Sequence, residues 1–321
     1  MTHEFPFDPT YGYDEARLRG VSGPDSPTDF AAFWQETYRR TRAIAPRASM
    51  RPSTLTLPGR DVYDVEFDGL DGFRVGAWLT LPESGRVTCG FTVGHGYGGR
   101  GAPDAWLPVA SGAGMFICSR GFDRSARPDL PGVASAHVLH GIESRDTYLH
   151  RFCVADLWSA TSALVQLVPE AGAKLFYGGT SFGGGLGALA MPWETRWSAG
   201  YLDVPSFGHH PLRVTLPCVG SGEAVRNYLP AHPEVMQVLA YHDAAIASRH
   251  STTPTFVAAA LFDPAVPPPG QFAVYNALRQ EKSLFVRQAA HYAWPGQASE
   301  ERHVRRALED WFAARLQNAL P

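Results

Sequence analysis

The sequence has no long apolar run, little cysteine and almost no net charge, and each shortage excludes something. No stretch approaches the roughly 18 apolar residues a membrane-spanning helix requires, so no membrane partner is expected. Among 321 residues the cysteines are Cys89, Cys118, Cys153 and Cys218. They stand far apart and form no CxxC pair, so neither zinc nor another metal is implied. Cys89 and Cys118 sit in apolar runs and read as buried free thiols. A net charge of −3 gives no sign of a surface for nucleic acid or anionic lipid. There is no repeat of fixed period and no low-complexity stretch. The opening Met1–Pro9 lacks a basic start followed by an apolar core, so it does not read as a secretory signal; a cytoplasmic location is expected.

What is present fits one globular domain over 1–321. Hydrophobic residues make up 45% and charged residues 18%, an ordinary balance, and a chain this long can bury about 75% of its unfolded surface. Phe30, Phe33, Trp34, Thr37, Tyr38 and Thr41 recur at helical spacing after the start signal Pro27-Thr28-Asp29, which predicts a helix within an N-terminal extension of about 1–50. Val62–Phe67 and Phe73–Leu81 read as an antiparallel opening. The short apolar runs Gly90–Val93, Met115–Cys118, Lys174–Tyr177, Ala199–Val204, Thr255–Leu261 and Leu284–Arg287 then follow. Helical stretches at Arg145–Leu167, Ser181–Ala190 and Glu300–Leu316 separate some of them. That alternation predicts an α/β fold with a mostly parallel central sheet and helices on both faces. Functional residues in such folds lie at the carboxyl ends of the strands.

The turns at those ends carry the chemistry. Gly179-Thr180-Ser181-Phe182-Gly183 matches G-x-S-x-G, with an apolar strand before it and a helical stretch after it. A strand that turns sharply into a helix holds its serine at the apex, and glycines two positions away clear the space. The helix amino end also favours negative charge there. A glycine-rich nucleotide-binding turn is the bland alternative, but G-x-G-x-x-G is not met. His95-Gly96-Tyr97-Gly98-Gly99 follows another strand and resembles a loop that donates a backbone N–H to an oxyanion. The two donors are assigned to Tyr97 and Phe182, and His95 is expected at most to brace its loop. The base should come last, after the final strand. His291 does; His303 lies inside the last helix, and His209, His210, His242 and His250 come too early. The acid should lie between, at a strand end. Asp263 follows Phe256–Phe262, and Asp203 is its rival. Ser181, Asp263, His291 is the chain order of the α/β-hydrolase fold.

These segments resemble the acetyl xylan esterase / cephalosporin C deacetylase family, carbohydrate esterase family 7. The likeness runs from Pro27–Trp34 through His95-Gly96-Tyr97, Gly132–Gly141, Ser144–Tyr148, Gly179–Gly184 and Leu261–Pro268 to the last helix. The resemblance implies a short-acyl, acetyl-preferring serine carboxylesterase with no cofactor and an insertion near 123–145. Its substrates would be small esters such as acetylated sugars or cephalosporin C. It also implies a homo-oligomer, in many members a hexamer with the sites facing an inner cavity. Three positions depart from the family: Phe122 and Phe182 each replace glutamine, and Tyr292 replaces the glutamate after the base. Tyr97, Phe122, Phe182 and Tyr292 are expected to line a pocket more apolar than the family's. Two other readings remain at this point, a peptidase or thioesterase on the same fold and a non-catalytic binding scaffold.

Overall fold

The computed structural model describes residues 1–317. Nine strands form one sheet: β1 (Ser49–Pro52), β2 (Arg60–Asp68), β3 (Arg74–Pro82), β4 (Cys89–Gly94), β5 (Gly112–Ile117), β6 (Leu175–Thr180), β7 (Trp197–Asp203), β8 (Thr255–Ala260) and β9 (Lys282–Arg287). Their order is β1-β2-β3-β5-β4-β6-β7-β8-β9. β1, β2, β3 and β5 pair antiparallel; from β5 through β9 all pairs are parallel. The expected antiparallel opening and parallel body are both present, and the fold is that of an α/β hydrolase.

The central strands are buried on both faces, which is why their sequences read as unbroken apolar runs. Alternation survives in which core each residue joins. Phe91, Phe116, Phe176, Phe256 and Ala258 face one cluster, closed by Val304, Leu308 and Phe312 of the C-terminal helix Gln297–Gln317. Leu175, Tyr177, Val257 and Ala259 face the larger cluster, covered by helices Phe30–Arg42, Leu149–Leu167, Phe182–Ala190 and Pro268–Ala277. The N-terminal helix lies on this body: Trp34 meets Trp158 edge-on at 6.3 Å and its indole N–H donates to the Tyr241 carbonyl at 2.7 Å. Among the described residues no helix is long and apolar enough to cross a membrane, and all four cysteines are buried free thiols.

The long helix begins at Leu149 rather than Arg145. The Tyr148 hydroxyl donates to the Val138 carbonyl and the Leu149 N–H to that of His140, so the chain turns there instead of starting its helix. Residues Asp123–Ser125 and Ala134–His137 form only single turns before it. The β7–β8 connection folds into helices His210–Arg213, Ser221–Tyr228, Val235–Ala240 and Ala244–Ser248. Val225, Val235 and Leu239 from it join Val138, Ile142 and Tyr148 in a third apolar cluster.

A buried ion pair ties the long helix to the strand-end loop after β5. Arg120 grips Asp156 through two bonds of 2.7 and 2.9 Å and also donates to the Leu70 carbonyl at 2.9 Å. Breaking such a pair strands a buried charge. Asp156→Ala is therefore expected to cost about 3–5 kcal/mol, read as a fall in the denaturant midpoint at unchanged slope. A loss under 1 kcal/mol would show that the pair does not hold the loop.

Candidate active site

Ser181 stands at the carboxyl end of β6 with φ 55° and ψ −112°, a strained conformation for a residue with a side chain. The surrounding contacts hold it there. Its N–H donates to the Asp203 carbonyl at 2.8 Å, and its own carbonyl accepts the N–H groups of Gly185 and Ser206 at 2.9 and 3.1 Å. The flanking glycines are required by space: a Cβ on Gly179 would lie 2.6 Å from the Gly183 backbone, and one on Gly183 would lie 2.7 Å from that of Gly94.

The residues picked from the sequence meet at this turn. His291 Nε2 lies 3.0 Å from Ser181 Oγ, and its Nδ1 lies 2.8 Å from Asp263 Oδ2. Nδ1–H thus donates to the carboxylate, and Nε2 is left to accept the serine proton. Asp263 is fully buried and accepts two further bonds on Oδ1, from the Ala265 and Val266 N–H groups, both at 2.9 Å. Gln271 adds a fourth donor, Nε2 to Oδ2 at 2.8 Å, while its Oε1 takes the Ala260 N–H at 2.8 Å. Nothing in the sequence singled out Gln271, which follows three prolines without any periodic signal. The His291 pKa is shifted by opposed causes. Burial, the largest, lowers it; the charge and hydrogen bond of Asp263, helped by the charge of Asp203, outweigh burial and raise it above the ordinary 6.5. The Asp203 carboxylate itself turns away to Arg287, at 2.8 and 3.0 Å.

On the other side of Ser181 lies the glycine loop after β4. His95 braces it: Nδ1–H donates to the Gly96 carbonyl at 2.6 Å, and Nε2 accepts the Ser119 N–H at 2.9 Å. Burial pushes the His95 pKa down to about 4, so the ring is neutral and suits these roles. The His95 carbonyl accepts the Gly183 N–H at 2.8 Å, which locks the loop to the helix after Ser181. The backbone N–H groups of Tyr97 and Phe182 donate to no other protein group among the described residues.

Side-chain placement separates the four expected pocket residues. The rings of Tyr97 and Phe182 stack at 4.0 Å and 15°. Phe182 is 0% exposed and Phe122 5%; Phe122 packs on His95 and His137. The Tyr97 hydroxyl meets the buried His150 Nε2 at 2.6 Å. These three rings form the wall behind the glycine loop. Tyr292 lies elsewhere, donating to the Thr2 carbonyl and packing on Phe5 and Phe262. It lines, with Thr2–Phe5, an open cavity of about 500 Å³. The N-terminal segment also reaches the acid loop, where the Asp263 N–H donates to the Pro9 carbonyl at 3.2 Å. Among the described residues no group of three or more His, Cys, Asp or Glu is placed to hold a metal ion.

Solved structures of the same fold include the acetyl xylan esterase from Paenibacillus sp. R4, with TM-score 0.78 and 23% identity over 92% of this chain and 99% of that one. The acetyl xylan esterase 1 from Thermoanaerobacterium sp. JW/SL YS485 superposes with TM-score 0.80 and 20% identity, covering 94% and 99%. An acylaminoacyl peptidase from Pyrococcus horikoshii reaches TM-score 0.65 at 14% identity over 81% of this chain and 42% of that one. No curated protein sequence matches. The acetyl xylan esterase family model matches residues 18–306, and on that span the chain belongs to the acetyl xylan esterase family of carboxylic ester hydrolases.

Proposed function

We propose that the protein hydrolyses short-acyl esters, acetyl esters foremost, through an acyl-enzyme on Ser181. The observation that carries this reading is the continuous chain of bonds from Asp263 through His291 to Ser181 Oγ. His291 takes the serine proton as Oγ attacks the ester carbonyl. Asp263 fixes the tautomer and stabilises the imidazolium that forms. The N–H groups of Tyr97 and Phe182 take up the charge developing on the carbonyl oxygen, where preorganised donors have their largest effect. His291 then returns the proton to the departing alcohol, and a water it activates releases the acid. The stacked Tyr97 and Phe182 rings fill the space behind those donors, which supports a small acyl group. Family membership supports acetyl, and the substrate is a small-molecule ester. The peptidase likeness rests on fold alone and carries no amide substrate here.

Two measurements test this. Nitrophenyl acetate should be cleaved with higher kcat/KM than the butyrate and far higher than the octanoate; a preference for octanoate refutes the short-acyl reading. The pH profile of kcat/KM reports the free enzyme's base. The sign follows from the raised His291 pKa: activity is full where the ring is neutral and falls as pH drops through a midpoint above 6.5. A midpoint below 6.5, or none between neutrality and acid, would remove His291 as base.

A further inference from the structure

Five arginines are nearly enclosed: Arg100, Arg120, Arg151, Arg213 and Arg287. Four have a carboxylate in reach, Asp104, Asp146, Asp156 or the Asp203–Glu300–Glu301 group. Arg213 has none among the described residues. It is 5% exposed, and neither Nε nor Nη1 has a hydrogen-bond partner in the protein. Water can accept hydrogen bonds but carries no counter-charge, and an uncompensated buried cation is costly. That cost needs a compensating gain, and a buried donor without a partner calls for an explanation such as a bound anion.

Its position points the same way. Arg213 ends the short helix His210–Arg213, just past the carboxyl end of β7. Its guanidinium lies over the Phe207 ring at 5.7 Å, and Phe207 meets Phe182 edge-on at 5.9 Å. The neighbouring Ser206 N–H donates to the Ser181 carbonyl. On its other side are Cys218 and Gly222; a Cβ on Gly222 would lie 3.0 Å from Nη2, so glycine allows the close approach. That stretch is tied to the acid loop, where the Val219 N–H donates to the Pro264 carbonyl at 2.8 Å. Arg213 therefore sits between the chain that braces the nucleophile and the chain that braces the acid. Its charge also reaches the Tyr97 hydroxyl.

We propose that Arg213 is an anion anchor in the substrate site and that the preferred substrates are esters carrying a carboxylate. This deepens the esterase reading and rests on it. A guanidinium with unpartnered donors offers a carboxylate charge-assisted hydrogen bonds, and the bound anion supplies the missing counter-charge.

The test compares matched esters, charged and neutral. 4-Acetoxybenzoate against 4-methylphenyl acetate places the carboxylate on the alcohol side; mono-4-nitrophenyl succinate against 4-nitrophenyl butyrate places it on the acyl side. In at least one pair the wild type should favour the charged ester, and Arg213→Met should cut that kcat/KM ratio about 30-fold, the lower range for a buried charge pair. Arg213→Lys should restore part of it. Arg213→Met should melt no lower than wild type, since the charge it removes has no partner. An unmoved ratio in both pairs, or a fall in Tm of many degrees with the ratio unmoved, overturns the proposal. If Arg213→Met does not fold, inhibition of the wild type decides: benzoate inhibiting neutral-ester hydrolysis well below the concentration benzamide needs supports it, and equal inhibition overturns it. Wild-type cleavage of both esters at an unmoved ratio sinks the anchor alone; cleavage of none of the four sinks the esterase reading.

Discussion

Ser181→Ala is expected to lower kcat on nitrophenyl acetate by about 10⁵–10⁶-fold, the size of loss seen when a serine hydrolase loses its nucleophile, while Tm stays within a few degrees. Both halves follow from the geometry. Oγ is the atom that His291 Nε2 faces at 3.0 Å, and among the described residues no other hydroxyl bonds to that nitrogen. The fold does not depend on Oγ, because the turn is held by backbone bonds to Asp203, Gly185 and Ser206. Alanine is as strained as serine at φ 55°, so the swap neither relieves nor adds backbone cost. The residual rate should still exceed that in water, since the Tyr97 and Phe182 donors remain. Activity within tenfold of wild type would remove Ser181 as nucleophile; loss of activity with a collapsed Tm would make the result structural.

Asp263→Asn should cost about 10⁴-fold in kcat, the loss a serine protease suffers from the same swap. The amide keeps the shape. It can donate to His291 Nδ1, however, which favours the wrong tautomer and removes the charge facing the imidazolium. Asp203→Asn should cost far less activity, because that carboxylate pairs with Arg287 rather than His291. Its effect should appear as lower stability and as an acid limb moved to lower pH, since the Asp203 charge helps to raise the His291 pKa. Near-equal losses, or the reverse ranking, would shift the acid to Asp203.

The site was legible where local chemistry demanded a residue type. Gly179 and Gly183 are fixed by backbone approach, Ser181 by the turn, and His291 and Asp263 by strand ends in a set chain order. The strands were legible because enclosure on both faces leaves unbroken apolar runs. What was hidden was built from contacts distant in sequence. Gln271 holds Asp263 from a helix that begins after it, and Pro9 meets the Asp263 N–H from the other end of the chain. The 204–254 connection escaped because helices of four to eight residues are too short for periodicity to show. The long helix was read four residues too early because Arg145–Tyr148 suits a helix locally, whereas the Val138 and His140 carbonyls hold the chain in a turn. Phe122 and Phe182 stand where the family resemblance implies glutamine, but the sequence could not say that their rings would be enclosed rather than facing substrate.

The sheet order gives the two halves of the site different footing. Ser181 leaves a strand with neighbours on both sides, β4 and β7, whereas His291 follows β9, which has a partner on one side only and is half-buried along most of its length. Native proteins open by cooperative pieces, and margins open before centres. The proposed base is therefore mounted on the less persistent piece, and its loop depends on pins such as the Ala290 N–H to Phe262 carbonyl bond at 2.9 Å. An enzyme arranged this way stops turning over when its margin lifts, with the nucleophile still seated in an intact interior. Inactivation on warming then measures the opening of that margin and recovers on cooling, as distinct from the melting of the sheet.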